Sequence, residues 1–295
     1  MPKRKRTFGV LILTHGRANK VHTYKTLRAQ GYTGPIYLVI DDEDPQGDDY
    51  RARYGDEVVT FSKAEAAEYT DLADILPERN VVVLARNAAH HVAKSLGLTH
   101  FLELDDDYTN FSHRIRFDDA EDDWQARKMA AKQVRDFDAV CEAMLDLLED
   151  TGALTVAFAQ GGEMIGGVAS HVARLGWKRK AMNSFFVRTD HPVKFYGRLN
   201  EDATAYCLDG SRGELFMTVS QVSLSQSQTQ HQEGGLTDSY LDVGTYVKTF
   251  YTVMMCPSFV KVRSMGQADR RIHHHIDWPH AIPKLLAPEL AKADG

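Results

Sequence analysis

The sequence predicts an α/β fold in which a mostly parallel β-sheet is flanked by helices. Two observations in the first 110 residues favour this fold class. The apolar segments Phe8–Leu13 and Ile36–Ile40 lack polar alternation, which is typical of strands buried on both faces. Segments with helical spacing separate the apolar segments, and strands that alternate with helices form βαβ units with parallel pairing.

The remaining elements follow from periodicity and from glycine and proline positions. The predicted strands are residues 8–13, 36–40, 58–61, 81–84, 100–104, 155–159, 184–187 and 215–219. The predicted helices are residues 18–30, 87–96 and 120–150, and the first of them ends at Gly31. Residues 220–240 are rich in Ser, Gln, Thr and Gly, which predicts a loop.

Composition excludes several classes of protein. A chain of 295 residues suits one large α/β domain or two small ones. The net charge of -6 argues against a protein that coats nucleic acid indiscriminately, but allows docking through a local patch. No apolar run approaches the roughly 18 residues of a membrane span, so no membrane partner is expected. Three widely spaced cysteines without a CxxC pair fit a reducing cytoplasm, which is the predicted location.

Acidic and polar residues follow three of the predicted strands. They are Thr14–Arg17, Asp41-Asp42 and Asp105–Asp107, and in a parallel sheet such strand ends share one crevice, where ligands bind. Three explanations are open for Asp105–Asp107: a solvated acidic turn, a calcium loop, or a divalent metal that bridges to a diphosphate. The spacing of an EF-hand is missing. Mg²⁺ and Mn²⁺ are often held by one or two carboxylates plus phosphate oxygens.

The stretch NVVVLARNAAHHVAKSLGLTHFLELDDDY resembles the segment that ends in the Asp-x-Asp motif of GT-A glycosyltransferases. The matching pieces are Ala85-Arg86-Asn87, Gly97 and Asp105–Asp107, in that order. The resemblance implies a single GT-A domain over residues 1–295 with C-terminal elaborations, in which residues 8–110 bind the nucleotide sugar and residues 111–282 bind the acceptor. The residues that it implies for the nucleotide-sugar site are Thr14, His15, Arg17, Asp41, Asp42, Arg86, Asn87, Asp105, Asp106, Gly166 and Gly167.

Plainer interpretations of these residues stay open at this point. Arg17 also fits a surface position at the start of a helix, and Arg86 could pair with a carboxylate at the edge of the core. The stretch AQGGEMIGG, which contains Gly166 and Gly167, supplies backbone that can approach a ligand closely, but it could equally form a hairpin turn.

Two later stretches resemble the rest of a GT-A active site. YGRLNEDATAY is similar to the xED motif of inverting enzymes, which implies that Asp202, or failing that Glu201, takes the proton of the acceptor. Both could instead be first-turn charges that complement a helix dipole. Because GT-A enzymes often complete the metal shell with a late histidine, RRIHHHIDWPH implies Asp105, Asp107, His273 and His275 as ligands of Mn²⁺ or Mg²⁺. The choice among the three histidines is open, and a histidine-rich surface turn is the alternative.

The stretch TYVKTFYTVMMCPSFVKVRSMG, together with these motifs, is similar to the phage TET-associated glycosyltransferases over roughly residues 8–282. The resemblance implies a metal-dependent, inverting transfer from a UDP-sugar to 5-hydroxymethylcytosine in DNA, in the cytoplasm of a host cell. Cations interleaved with aromatic residues in the C-terminal third suit a DNA backbone and a displaced base. The alternatives are a GT-A enzyme acting on a glycan, protein or small molecule, a nucleotidyltransferase, and a non-catalytic binding module.

Overall fold

A computed structural model describes residues 6–115, 130–160, 180–226, 247–265 and 271–281. Its strands are β1 Phe8–Leu13, β2 Ile36–Asp41, β3 Val58–Phe61, β4 His100–Asp105, β5 Tyr108–Ile115, β6 Ala130–Gln133, β7 Thr155–Ala159, β8 Ser184–Arg188, β9 Phe216–Gln226, β10 Val260–Met265 and β11 Arg271–Ile276. Its helices are α1 His22–Ala29, α2 Gly47–Tyr54, α3 Lys63–Tyr69, α4 Val82–Ser95, α5 Phe137–Thr151, α6 Glu201–Ser211 and α7, residues 247–255.

Nine strands form one sheet in the order β3-β2-β1-β4-β8-β7-β9-β5-β6. The pairings of β1 with β2 and β4, of β2 with β3 and of β7 with β9 are parallel. Only β8 and β5 run against their neighbours, so seven of the nine strands point in the same direction. This confirms the predicted α/β class with a mostly parallel sheet flanked by helices. Strands β10 and β11 pair with each other in a separate two-stranded sheet.

The sheet is covered on both faces, and β1 shows why its sequence is apolar throughout. Leu11 and Leu13 pack in the core on the side of α4, whereas Val10 and Ile12 pack on the side of α5. Successive side chains of a strand point to opposite faces, so a strand between two helical layers needs apolar residues at every position. Because the two faces are covered, ligands of such a sheet bind beyond the carboxyl ends of its strands.

Two predicted elements in the first half of the fold are wrong. Residues 81–84, predicted as a strand, are the start of α4, in which Val83, Leu84 and Ala88 face the core at helical spacing. The predicted helix over residues 120–150 is wrong at Ala130–Gln133, which pairs with β5 as a strand, and residues 120–129 lie outside the described residues. The helix α5 begins later, where the Asp136 side chain accepts the amide of Ala139 at 3.0 Å. Pairing with a neighbouring strand overrides local propensity here.

Residues 220–226, predicted as part of a loop, belong to β9, which lies between β7 and β5. Ser220 and Ser223 are buried there. Backbone pairing with β7 and β5 stabilises this strand, although its polar residues predict a loop. The remainder of the predicted loop, residues 227–240, lies outside the described residues. Within the described ranges, no helix is both long and apolar enough to cross a membrane.

Candidate active site

The carboxyl ends of β1 and β4 are joined by polar contacts around Asp106. The Thr14 hydroxyl donates to Asp106 Oδ2 at 2.7 Å, and Arg17 Nη1 donates to Asp106 Oδ1 at 3.0 Å. The Tyr50 hydroxyl lies 2.7 Å from Thr14 Oγ1 and accepts the Arg17 amide at 2.9 Å. Burial raises the pKa of Asp106, although Arg17 and Thr14 act to lower it. Thr14, Arg17 and Asp106 therefore lie together, and Tyr50 joins them although no sequence pattern singled it out.

The end of β2 carries a second buried charge cluster around Asp41. His15 Nδ1 lies 2.7 Å from Asp41 Oδ2, and Lys63 Nζ lies 2.9 Å from Asp41 Oδ1. The hydrogen bond to Asp41 raises the pKa of His15, against the effect of burial. Burial acts to raise the pKa of Asp41, but the contacts with His15 and Lys63 outweigh it and lower that pKa. Asp41 is therefore held ionised, while the exposed Asp42 accepts the Lys63 amide at 2.9 Å and orients the start of α3.

Arg86 on α4 is the centre of the site. Its guanidinium is buried and donates to three carboxylates: Nε to Glu201 at 2.8 Å, Nη1 to Glu103 at 2.9 Å, and Nη2 to Asp105 Oδ2 at 3.3 Å. These acids come from α6 and β4, so Arg86 connects the strand that ends in the aspartates to the helix that carries Asp202. Pairing with carboxylates is the plainer interpretation of Arg86, and the structure supports it.

Burial raises the pKa of Glu103 to about 8, despite the neighbouring Arg86. A proton on this acid near neutral pH reduces the repulsion among the carboxylates around the single guanidinium. Glu103 was missed from the sequence, although a lone charged residue within the apolar strand FLELD is a detectable signal. Asn87, the next residue of α4, bonds through its amide to Thr70 Oγ1 and to both backbone groups of Phe195. This clamp joins α4 to the segment before α6, and a direct contact of Asn87 with the nucleotide stays a prediction.

The turn after β4 is held by Thr23 of α1. The Thr23 hydroxyl donates to the Asp105 carbonyl at 2.6 Å and accepts the Tyr108 amide at 2.9 Å, while its own amide donates to the Asp106 carbonyl at 3.1 Å. These bonds direct Asp106 towards β1 and leave Asp105 and Asp107 near each other. Burial raises the pKa of Asp107 to about 7, with further contributions from Asp105 and Asp106.

Two observations describe how Asp105 and Asp107 relate to metal binding. Asp105 Oδ1 is buried and has no hydrogen-bond donor among the described residues, although Arg86 lies nearby. The described ranges contain no group of three or more His, Cys, Asp or Glu residues arranged to hold a metal ion. The predicted set of Asp105, Asp107, His273 and His275 is therefore not assembled by the described side chains alone.

Strand alternation explains the placement of the histidines. In the β10–β11 pair, His273 lies opposite Arg263 and His275 lies opposite Lys261, whereas His274 occupies the other face. His274 Nδ1 lies 3.0 Å from Asn200 Nδ2, immediately before α6, and burial lowers its pKa to about 3. Of the three histidines, His274 is the one held against the start of α6.

Glu201 and Asp202 begin α6 and are both buried. Glu201 bonds to Arg86, whereas the Asp202 carboxylate accepts the adjacent Ala203 amide at 2.6 Å. Burial raises the pKa of Asp202 to about 7, and the neighbouring Glu201 adds to this shift. The two acids therefore differ in their partners, because Glu201 is tied to an arginine and Asp202 is not bonded to that guanidinium. Gly166 and Gly167 lie outside the described residues.

Comparisons with known proteins identify a family for most of this chain. A model of the family described as TET-Associated Glycosyltransferase matches residues 8–235. No curated protein matches significantly. Glucosyl-3-phosphoglycerate synthase from Mycobacterium tuberculosis, solved with Mn²⁺, UDP-glucose and phosphoglyceric acid, is similar with a TM-score of 0.48 and 10% identity over 90% of this chain and 86% of that chain. S. aureus TarS 1-349 is similar with a TM-score of 0.42 and 12% identity over 74% and 60%. At such TM-scores these two structures carry no functional argument.

Proposed function

We propose that this chain, which belongs to the TET-associated glycosyltransferase family, transfers a sugar from a UDP-sugar to 5-hydroxymethylcytosine in DNA. Family membership makes the chain a glycosyltransferase. The observation that supports the placement of the reaction is the contact of the buried Arg86 with both Asp105 and Glu201. This contact brings the Asp-x-Asp turn, which suits a metal and a diphosphate, next to Asp202, which suits the activation of an acceptor.

We propose that the donor binds at the open ends of β1, β2 and β4. The polar residues that lie there are Thr14, His15, Arg17, Asp41, Asp42, Asp105 and Asp106. Ligands in open α/β sheets bind at this edge, where the strand order changes direction about β1. In the proposal, Asp41 binds the nucleoside and Arg17 lies on the phosphate side, while Arg86 and Asn87 act by positioning other residues.

Asp105 and Asp107 have the chemistry of a site for Mn²⁺ or Mg²⁺. The buried Asp105 Oδ1 without a hydrogen-bond donor is an oxygen ligand of the type that these cations prefer. Two carboxylates suffice when phosphate oxygens of the substrate complete the shell. When bound, such a cation neutralises charge that develops on the leaving diphosphate. A further ligand from His273 or His275 stays a prediction.

Asp202 is the proposed general base. In the proposed step, its carboxylate takes the proton of the hydroxymethyl group as that oxygen bonds to the anomeric carbon, while the bond from this carbon to the diphosphate breaks. Attack from the side opposite the leaving group inverts the anomeric centre. The raised pKa of Asp202, caused first by burial, suits a base that works near neutral pH, and such catalysis contributes about 10²–10⁴-fold.

The test is a mass measurement on digested DNA. The purified protein is incubated with Mn²⁺, a panel of UDP-sugars and a duplex that contains 5-hydroxymethylcytosine. The DNA is then digested, and the masses of the nucleosides are measured by mass spectrometry. We expect a sugar increment that is lost in Asp105→Asn and falls about 10²–10⁴-fold in Asp202→Asn. The matched control is Asp190→Asn, since Asp190 is exposed and its contact with Arg188 Nε is loose, at 3.9 Å. Hydrolysis of the UDP-sugar without any gain in nucleoside mass would refute the DNA acceptor.

A further inference from the structure

One face of the β10–β11 ribbon carries two cationic side chains and two imidazoles, beside the Met265–Arg271 pair at its far end. Its register pairs Lys261 with His275 and Arg263 with His273. Because successive side chains of a strand point to opposite faces, these four side chains lie on the same face, which we call the basic face. Lys261, Arg263 and His275 are exposed, and His273 is half-buried.

The opposite face of the ribbon is buried at one end and is more exposed towards the other. Val260 and its partner Ile276 are buried against the body of the protein. Further along the ribbon, Val262 is 39% exposed two positions after Val260, and Ile272 is 37% exposed four positions before Ile276. A ribbon that is buried at its base and accessible on both faces further out can enter a groove in a partner.

The base of the ribbon is connected directly to α6. His274 contacts Asn200, and the ring of Trp278 stacks on that of Tyr206 with centroids 6.0 Å apart and planes inclined by 20°. Asn200 immediately precedes Glu201, and Tyr206 lies on α6 itself. These contacts set the direction of the ribbon relative to the proposed base Asp202.

The charge of the ribbon contrasts with that of the chain. The protein has a net charge of -6, whereas residues 260–265 and 271–276 contain no Asp or Glu. Asp277 follows at the base, but its carboxylate contacts His280 Nδ1 at 2.9 Å. A local concentration of positive charge on an acidic protein is complementary to a polyanion.

We infer that the basic face of the β10–β11 ribbon binds the acceptor duplex along its major groove, with Lys261 and Arg263 contacting phosphates. This inference rests on the proposed function and names the surface that would recognise the DNA. The major groove, about 12 Å wide, admits a two-stranded ribbon. A substituent on C5 of a pyrimidine projects into the same groove, so the ribbon and Asp202 would approach the duplex from the side that carries the hydroxymethyl group.

The experiment measures how duplex affinity depends on salt. Fluorescence anisotropy gives the dissociation constant for an unmodified duplex, for the same duplex with one 5-hydroxymethylcytosine, and for the single strand, over a series of salt concentrations. We expect the Lys261→Ala/Arg263→Ala variant to bind both duplexes more weakly. The slope of log K against log salt should fall by about 1 for each phosphate contact removed.

Two further variants control for net charge and for folding. Lys25→Ala/Lys94→Ala removes two exposed cations from α1 and α4 and should retain the wild-type slope. Lys261→Arg keeps the charge on the ribbon and should also retain the wild-type salt slope. The thermal unfolding midpoint of each variant checks that the fold is retained.

Each outcome decides the inference separately from the proposed function. If wild-type protein transfers sugar to the modified duplex but Lys261→Ala/Arg263→Ala retains the wild-type affinity and slope, the ribbon does not bind DNA, although the function stands. If Lys261→Ala/Arg263→Ala weakens binding of the single strand alone, the ribbon contacts an unpaired strand and not the major groove, which overturns the inference. If the wild type binds none of the three DNAs, both proposals fail. If the slope falls only in the ribbon variant, the surface is established even when no transfer is detected.

Discussion

Asp202 is the single residue whose environment most directly determines the proposed chemistry. It is buried at the first turn of α6, and its neighbour Glu201 is bonded to Arg86. Burial in low dielectric disfavours the charged carboxylate, and Glu201 adds repulsion, so the pKa rises to about 7. A carboxylate with a raised pKa is a stronger base than an exposed one, and it is still largely ionised slightly above neutral pH.

The pH dependence of transfer follows from this residue. A general base acts only when deprotonated, so kcat/KM should rise as the pH increases through about 7 and level off above it. Asp107, whose pKa burial also raises to about 7, gives a change of the same sign. The measurement is a pH–rate profile at low and at saturating Mn²⁺, because saturating metal should remove only the contribution of Asp107.

The residual activity of Asp202→Asn, measured at saturating Mn²⁺, provides the control for that profile. It should lack the rise through neutral pH, because the titrating base is gone. A wild-type profile that is flat between about pH 5.5 and about pH 8.5 would contradict the assignment of Asp202 as the base.

At the scale of elements, Arg198 organises the segment between α3 and α4. Its side chain is buried and donates to Asp74 through Nε at 2.7 Å and Nη2 at 2.8 Å. It also donates to the Leu76 carbonyl at 2.9 Å and to the Glu78 carbonyl. The same segment exposes Ile75 almost completely. One guanidinium thus replaces the hydrophobic packing that this irregular segment lacks.

We expect Arg198→Ala to destabilise the protein by about 2–4 kcal/mol, because the half-buried Asp74 loses its cation and two carbonyls lose a charged donor. Urea unfolding measures the change. Arg212→Ala is the matched control, since Arg212 is 59% exposed and pairs with Asp209 within one helix, so its loss should be at most about 1 kcal/mol. Equal effects of the two substitutions would show that Arg198 does not stabilise this segment.

At the scale of the whole molecule, Arg86 joins β4 to the start of α6. Glu103 and Asp105 lie on β4, whereas Glu201 begins α6. The guanidinium also lies 5.3 Å from the ring centroid of Phe185, on β8 beside β4. The predicted division of residues 1–295 into halves 8–110 and 111–282 stays a prediction, but one buried cation contacts residues of both.

Arg86→Met should therefore lower stability by about 3–5 kcal/mol at neutral pH, because it leaves the buried Glu103 and Glu201 and the half-buried Asp105 without their cation. Without Arg86 the folded protein holds protons on these acids more tightly than the unfolded chain does. Stability is then lost as the pH rises above the unfolded pKa values, so the deficit should be larger at about pH 8 than at about pH 5. Urea unfolding with a chelator present measures this difference.

Arg212→Met is the control for that measurement, and we expect it to show little dependence on pH between the same limits. A deficit of Arg86→Met that is equal at both pH values would indicate lost packing instead of lost charge.

The sequence by itself determined where β1, β2 and β4 lie along the chain and which residues follow them. Unbroken apolar segments such as Phe8–Leu13 and terminating glycines such as Gly31 are local signals, and local signals need no knowledge of partners. The positions of Asp41, Asp105 and Asp202 at element ends were predictable for the same reason. Segments without a strong periodicity, such as residues 81–84 and 220–226, were not, since their state depends on what packs beside them.

Only the tertiary structure decided which charges meet. Arg86 and Glu201 are 115 positions apart along the chain, and no spacing rule connects them. The pairing of Lys63 with Asp41, and the choice of His274 over its neighbours to face Asn200, likewise depend on how strands and helices pack. The physical reason is that burial removes water as the alternative partner, so each buried charge must find its counterpart in whatever element the fold brings within about 3 Å.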